Sequence, residues 1–141
     1  MNHITTKDFV NMICRANGKT NGAPGDILNT AYSEGWLEAQ DISGADNFIK
    51  RSDAARILHM FMLKVKDIKD LPDISGAEIL KDLYDCRICV NHIAQVYLRG
   101  LIPAVCVNTS DTDSFYIFDS KSFLSEEESA SAIKNLLNIK K

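Results

Sequence analysis

Cys86, Cys89 and His92 follow one another at intervals of three residues, which on a helix gathers two sulfurs and an imidazole on one side. Such a set is half of a zinc site or a redox dithiol, and Asp85 ahead of it could cap a helix whose dipole favours a thiolate at Cys86. A zinc site needs a fourth ligand. Cys14 or Cys106 would have to arrive by folding, because there is no second C-x-x-C and no matching histidine pair. The strand that precedes such a dithiol in a thioredoxin-like fold is missing as well. The sulfurs therefore read as core cysteines, and the four thiols of the chain as reduced, since their spacing is not that of a small stapled scaffold.

Other candidates for chemistry are sparse. His3, His59 and His92 are the only histidines, and His59 stands beside Met60 and Phe61 in an apolar stripe, which suits a core-edge residue better than a general base. No G-x-S-x-G, Walker loop or H-E-x-x-H occurs. Asn108, Asp111 and Asp113 crowd one loop, but a calcium loop starting at Asn108 would need a glutamate where Asp119 stands, so the stretch reads as a solvated turn. Glu126, Glu127 and Glu128 read as acidic enrichment at a helix start. The chain is expected to be neither an enzyme nor a holder of a cofactor.

What would position any site is a phrase written three times. "ITTKDFVNMICRA" starts at Ile4, "IKRSDAARILHMFM" at Ile49 and "LSEEESASAIKNLL" at Leu124. Each has an aliphatic residue, then small or polar residues, an acidic side chain four positions on, and an apolar helical stripe. Internal repetition of this kind outranks any single motif. A second unit lies between the copies, a helix ending in glycine with two apolar residues behind it: Gly35, Trp36, Leu37 and again Gly100, Leu101, Ile102. Glycine just past the last apolar residue is a left-handed helix cap.

These signals predict an all-α bundle of five to six helices with long loops and pseudo-threefold symmetry. The first copy supplies one helix over residues 4–17. A second repeat covers 26–64, with 41–48 as loop and a helix from Arg51 to Leu63. A third covers 71–139, with an inserted helix over 77–84, a helix from Cys86 to Arg99 and a last one from Ser125 to Asn138. "FYIF" at residues 115–118 reads as a short strand-like stretch. Phe9, Ile13, Ile57, Phe61, Ile133 and Leu137 should form the core.

In these respects the chain resembles the S-layer homology family. That family's repeat has an aspartate-containing start, a helix ending in Gly-aliphatic-aliphatic, a loop, and "ITRAE" opening a second helix. "LPDI" at 71–74 is similar to the repeat opening, and Phe118 with Leu124, Ser125 and Glu128 is similar to its F-x-P-x-x-x-I-T-R-A-E stretch, without the proline. Two and a half repeats are present. The resemblance implies a non-catalytic module binding acidic, pyruvylated secondary cell-wall polysaccharide of a bacterium. Its groove arginine falls on Thr6, Arg51 and Glu126 in the three copies, so it implies one groove with a cation, at Arg51, with Lys50 and Trp36 beside it. The alternative reading is an intracellular interaction or regulatory protein that reuses the scaffold for a protein partner.

Composition narrows the classes further. The chain has 141 residues, 45% of them hydrophobic, enough for one domain with a real core. A net charge of −3 and scattered lysines argue against nucleic acid. No apolar run reaches the roughly 18 residues needed to span a bilayer. "MNHITTKDF" carries no basic and apolar leader, so the sequence as written reads as cytoplasmic, and a surface role would need a leader that has been removed.

Overall fold

A computed structural model describes residues 2–18, 24–108 and 113–140. Its first helix, α1 (Thr6–Ala16), starts where Thr5 accepts the amide of Asp8 at 3.2 Å and buries Phe9, Val10, Ile13 and Cys14. α2 (Pro24–Ser33) and the short α3 (Ala39–Ser43) follow, and then α4 (Arg51–Lys64). α5 (Val90–Leu98) and α6 (Glu126–Leu137) complete the described helices. In α6, Ser125 and Glu128 form a reciprocal capping box, each side chain accepting the other's amide.

The three copies of the phrase meet in a closed ring. The amide of Thr6 donates to Asn47 O at 3.0 Å, that of Arg51 to Ser122 O at 2.8 Å, and that of Glu126 to Asn2 O at 2.9 Å. Each helix start is thus bound by the stretch ahead of the next copy, and the third is bound by the stretch ahead of the first. Bridges His3↔Ser125, Thr5↔Phe48 and Lys50↔Phe123 run round the same ring. The amides at a helix start have no partner within the helix, so the repeated phrase supplies them from outside. Its aliphatic residues Ile4, Ile49 and Leu124 are all buried beneath. Each such burial stabilises by roughly 1.5–3 kcal/mol.

Both glycine ends form the expected caps. Gly35 and Gly100 take positive φ of 91° and 75°, and the amides behind them reach back from Trp36 to Ala31 O and from Leu101 to Val96 O. Trp36 then lies buried edge-on against Phe61, with ring centroids 4.8 Å apart.

The all-α expectation is overturned. β1 (Val105–Asn108) and β2 (Ser114–Ile117) pair antiparallel, with Val105 opposite Ile117 and Asn108 opposite Ser114. Phe115 to Ile117 lie within the stretch expected to be strand-like, and Val105 and Val107 supply the β-branched residues that pair with it. Residues 109–112, between the two strands in sequence, lie outside the described residues, and with them Asp111 of the calcium comparison, as do residues 19–23.

The inserted helix over 77–84 is corrected too. The chain makes 3₁₀ turns at Ser75–Ile79 and Leu83–Asp85, because Leu80 bridges to Tyr116 and the Lys81 amide donates to Tyr116 O at 2.8 Å. A backbone that spends these groups on a strand cannot continue a helix. Asp82 adds to this by accepting the amides of Phe118 and Asp119. The helix expected from Cys86 begins only at Val90, after a 3₁₀ turn over Arg87–Cys89. Part of the loop expected over 41–48 is helical, as the end of α3, which Glu38 and Asp41 cap reciprocally. Phe9, Ile13, Ile57, Phe61 and Ile133 are core, but Leu137 is 47% exposed.

Candidate functional site

The ring leaves clefts between successive copies. The first, of about 320 Å³, opens between copies one and two and is lined by Thr6, Gln40, Asn47, Phe48, Lys50 and Phe123 together with Asp41, Gly44 and Asp53. At its mouth an aromatic triangle sits at one ring position in all three copies. His3, Phe48 and Phe123 lie with centroids 5.2 to 5.7 Å apart, and Phe48 and Phe123 keep 50% and 43% of their surface exposed. Lys50 is exposed and has no ion-pair partner among the described residues.

The carboxylates of this cleft are committed elsewhere. Asp41 takes both Arg56 nitrogens at 2.8 and 2.7 Å and also accepts the Glu38 amide, while Asp53 reaches Arg56 at 3.4 Å. Burial alone would lower the Arg56 pKa, but the bond and charge of Asp41, with the charges of Glu38 and Asp53, outweigh it and raise it, so the guanidinium stays charged. Lys50 is thus left as the uncommitted charge at the cleft.

Of the three residues expected to bind ligand, only Lys50 faces a cleft. The expectation for Arg51 is corrected: it is 2% exposed. Its Nε donates to Phe118 O and its NH2 group to Pro103 O, both at 2.7 Å, its remaining nitrogen pairs with Glu128, and its guanidinium lies over the Phe118 ring. Arg51 clamps the second helix start to the third copy and offers nothing to a ligand. Trp36 is corrected on the same ground, being buried with its indole N–H on Glu34.

The sulfur expectation changes as well. Cys86 and Cys89 form a disulfide, whereas Cys14, which is buried, and Cys106, which is exposed, take no part in one. His92 does not join the sulfurs as a ligand. Its Nδ1 lies 2.8 Å from Nδ1 of His59, whose Nε2 lies 2.6 Å from Asp70. Among the described residues no group of three or more His, Cys, Asp or Glu is arranged to hold a metal ion.

This Asp70–His59–His92 chain was not legible in the sequence, because Asp70 sits in the irregular "KVKDIKDLPDI" connector after α4 and His92 lies on α5, 33 positions from His59. Burial first, then the charges of His59 and Arg56, push His92 from 6.5 to about 4. Burial also acts to raise Asp70, but bonds from His59 and Asn91 and the charges of His59 and Arg99 hold it below the ordinary carboxylate value. Among the described residues no nucleophile is bonded to either imidazole, and the cluster joins α4 to the connector and to α5.

No family model matches the chain, and no curated protein and no solved structure matches it. No helix among the described residues is long and apolar enough to cross a membrane.

Proposed function

We propose that the chain is a non-catalytic binding module for an acidic cell-wall polysaccharide, with its ligand held in the cleft between the first and second copies. The observation that carries this reading is the pairing, at one cleft, of the half-exposed Phe48 and Phe123 rings with the uncommitted ammonium of Lys50. Aromatic faces take the apolar face of a sugar ring, and an ammonium takes the carboxylate that makes such a polymer acidic. Gln40 and Asn47 add amide donors and acceptors for hydroxyls. The resemblance to S-layer homology repeats supports the ligand class, while the site itself moves from Arg51 to Lys50.

Calorimetric titration with purified acidic wall polysaccharide tests this. Lys50→Ala should weaken binding by about 1.5–3 kcal/mol, the scale of a charge-assisted hydrogen bond. Phe48→Ala should weaken it by about 1 kcal/mol or more. Unchanged affinity in both variants would remove the cleft as the site.

The second reading, a module for protein partners, is favoured by one observation: the outer face of α6 carries exposed Leu137 at 47%.

A further inference from the structure

The three phrase helices are equivalent in sequence and unequal in cover. Thr6, Val10 and Cys14 of α1 are buried, and so are Arg51, Ala55 and His59 of α4 at the same ring positions. Their counterparts on α6 are Glu126, Ala130 and Lys134, and all three are exposed. One turn further on, Met62 of α4 is 2% exposed while its counterpart Leu137 is 47% exposed. The difference lies in what packs outside. α2 lies against α1, and α5 lies against α4 with His92 on His59. On α6 the stripe 126, 130, 134, 137 faces solvent, and a cleft of about 530 Å³ lined by Ile4, Met12, Glu126 and Ala130 runs beside it.

The stripe is its own complement. Set two such helices antiparallel about Ala130, and position 126 of each falls opposite position 134 of the other, four residues either side of the centre. Glu126 then meets the partner's Lys134, and Lys134 meets the partner's Glu126. Neither residue has an ion-pair partner within the chain among the described residues. Alanine at the centre lets the axes approach to the 8–10 Å usual for packed helices. Leu137, about 10 Å along the axis from Ala130 at 1.5 Å per residue, is carried past the partner's Glu126 towards the cleft that Ile4 and Met12 line. A face that pairs i with j and j with i is what a twofold interface requires. Antiparallel macrodipoles add to it.

We propose that α6 is the interface of a homodimer, seated antiparallel on α6 of a second copy through Glu126, Ala130, Lys134 and Leu137. One helix face buries less than the roughly 800 Å² per partner of a standard interface, so the association is weak and depends on concentration. It stands independently of the polysaccharide reading, because none of Glu126, Ala130, Lys134 and Leu137 lines the Lys50 cleft.

Sedimentation equilibrium between roughly 10 and 500 µM tests it, in a Cys106→Ser background so that the exposed thiol does not cross-link copies. Wild type should move from monomer towards dimer over this range. Lys134→Glu and Glu126→Lys, each setting two like-charge contacts across the twofold, should each weaken association by about tenfold or more. The double variant carrying both changes should recover wild-type association, and so should an equal mixture of the two single variants. Ala130→Arg should abolish it. Circular dichroism establishes that each variant is folded, which exposed positions allow. A wild type that stays monomeric throughout, or a double variant as weak as the singles, overturns the proposal.

Discussion

Arg51 Nε donates to Phe118 O at 2.7 Å, joining the start of α4 to the residue that follows β2, 67 positions away. With Pro103 O and Glu128 as further acceptors, the guanidinium has a protein partner on every side, at 2% exposure. Removing the buried guanidinium takes their donor from the Phe118 and Pro103 carbonyls and its counter-charge from Glu128, whose side chain is 28% exposed. Arg51→Ala is therefore expected to destabilise by about 3–5 kcal/mol in urea denaturation. A loss below about 1 kcal/mol would mean that the clamp is not formed.

Phe61 lies fully buried against Trp36. Phe61→Ala removes transfer energy and leaves a cavity, and should cost about 3–5 kcal/mol by the same measurement. A change under about 1 kcal/mol would show that this face of α4 is exposed.

His92 gives a pH signature. Its folded-state value of about 4 lies below the ordinary 6.5, so between those limits the unfolded chain binds a proton that the folded chain refuses. Stability is then fully present above about pH 6.5 and falls as pH drops towards 4. Discounted for solvent screening at a partly exposed imidazole, the loss between pH 7 and pH 4.5 should be on the order of 1–2 kcal/mol. Denaturation curves of His92→Gln should lack that component; an identical pH dependence in the variant would assign the effect elsewhere.

Thiol counting checks the sulfur arrangement. Alkylation of the unfolded, unreduced chain should label Cys14 and Cys106 alone, and reduction should release Cys86 and Cys89 as two more sites. Four labels without reductant would contradict the disulfide.

The sequence was legible where one physical need recurs locally. The three helix starts need external partners for their amides, so the phrase at Ile4, Ile49 and Leu124 repeats, and Gly35 and Gly100 mark ends that only a left-handed residue closes. It was illegible where distant groups compete for the backbone. Nothing near Leu80 announces that Tyr116 will take its amide neighbour and break a helix, and β1 depends on its pairing with β2. The site failed for a related reason: a motif shows where Arg51 stands but not that Phe118, Pro103 and Glu128 arrive to consume its donors. Lys50, one residue earlier, stands at the N-cap of α4 and is exposed. The exposed Phe48 and Phe123 could have been found from their place just before each buried aliphatic, where His3 stands in the first copy.

The central claim is that the Lys50 cleft binds an acidic wall polymer, and co-sedimentation with purified sacculi tests it most directly. Wild type should pellet with sacculi that retain their acidic secondary polysaccharide and stay in solution with sacculi stripped of it. Lys50→Glu, at an exposed position, should stay in solution with both while keeping its thermal melt. Wild type that pellets equally with stripped sacculi, or with neither, would contradict the account.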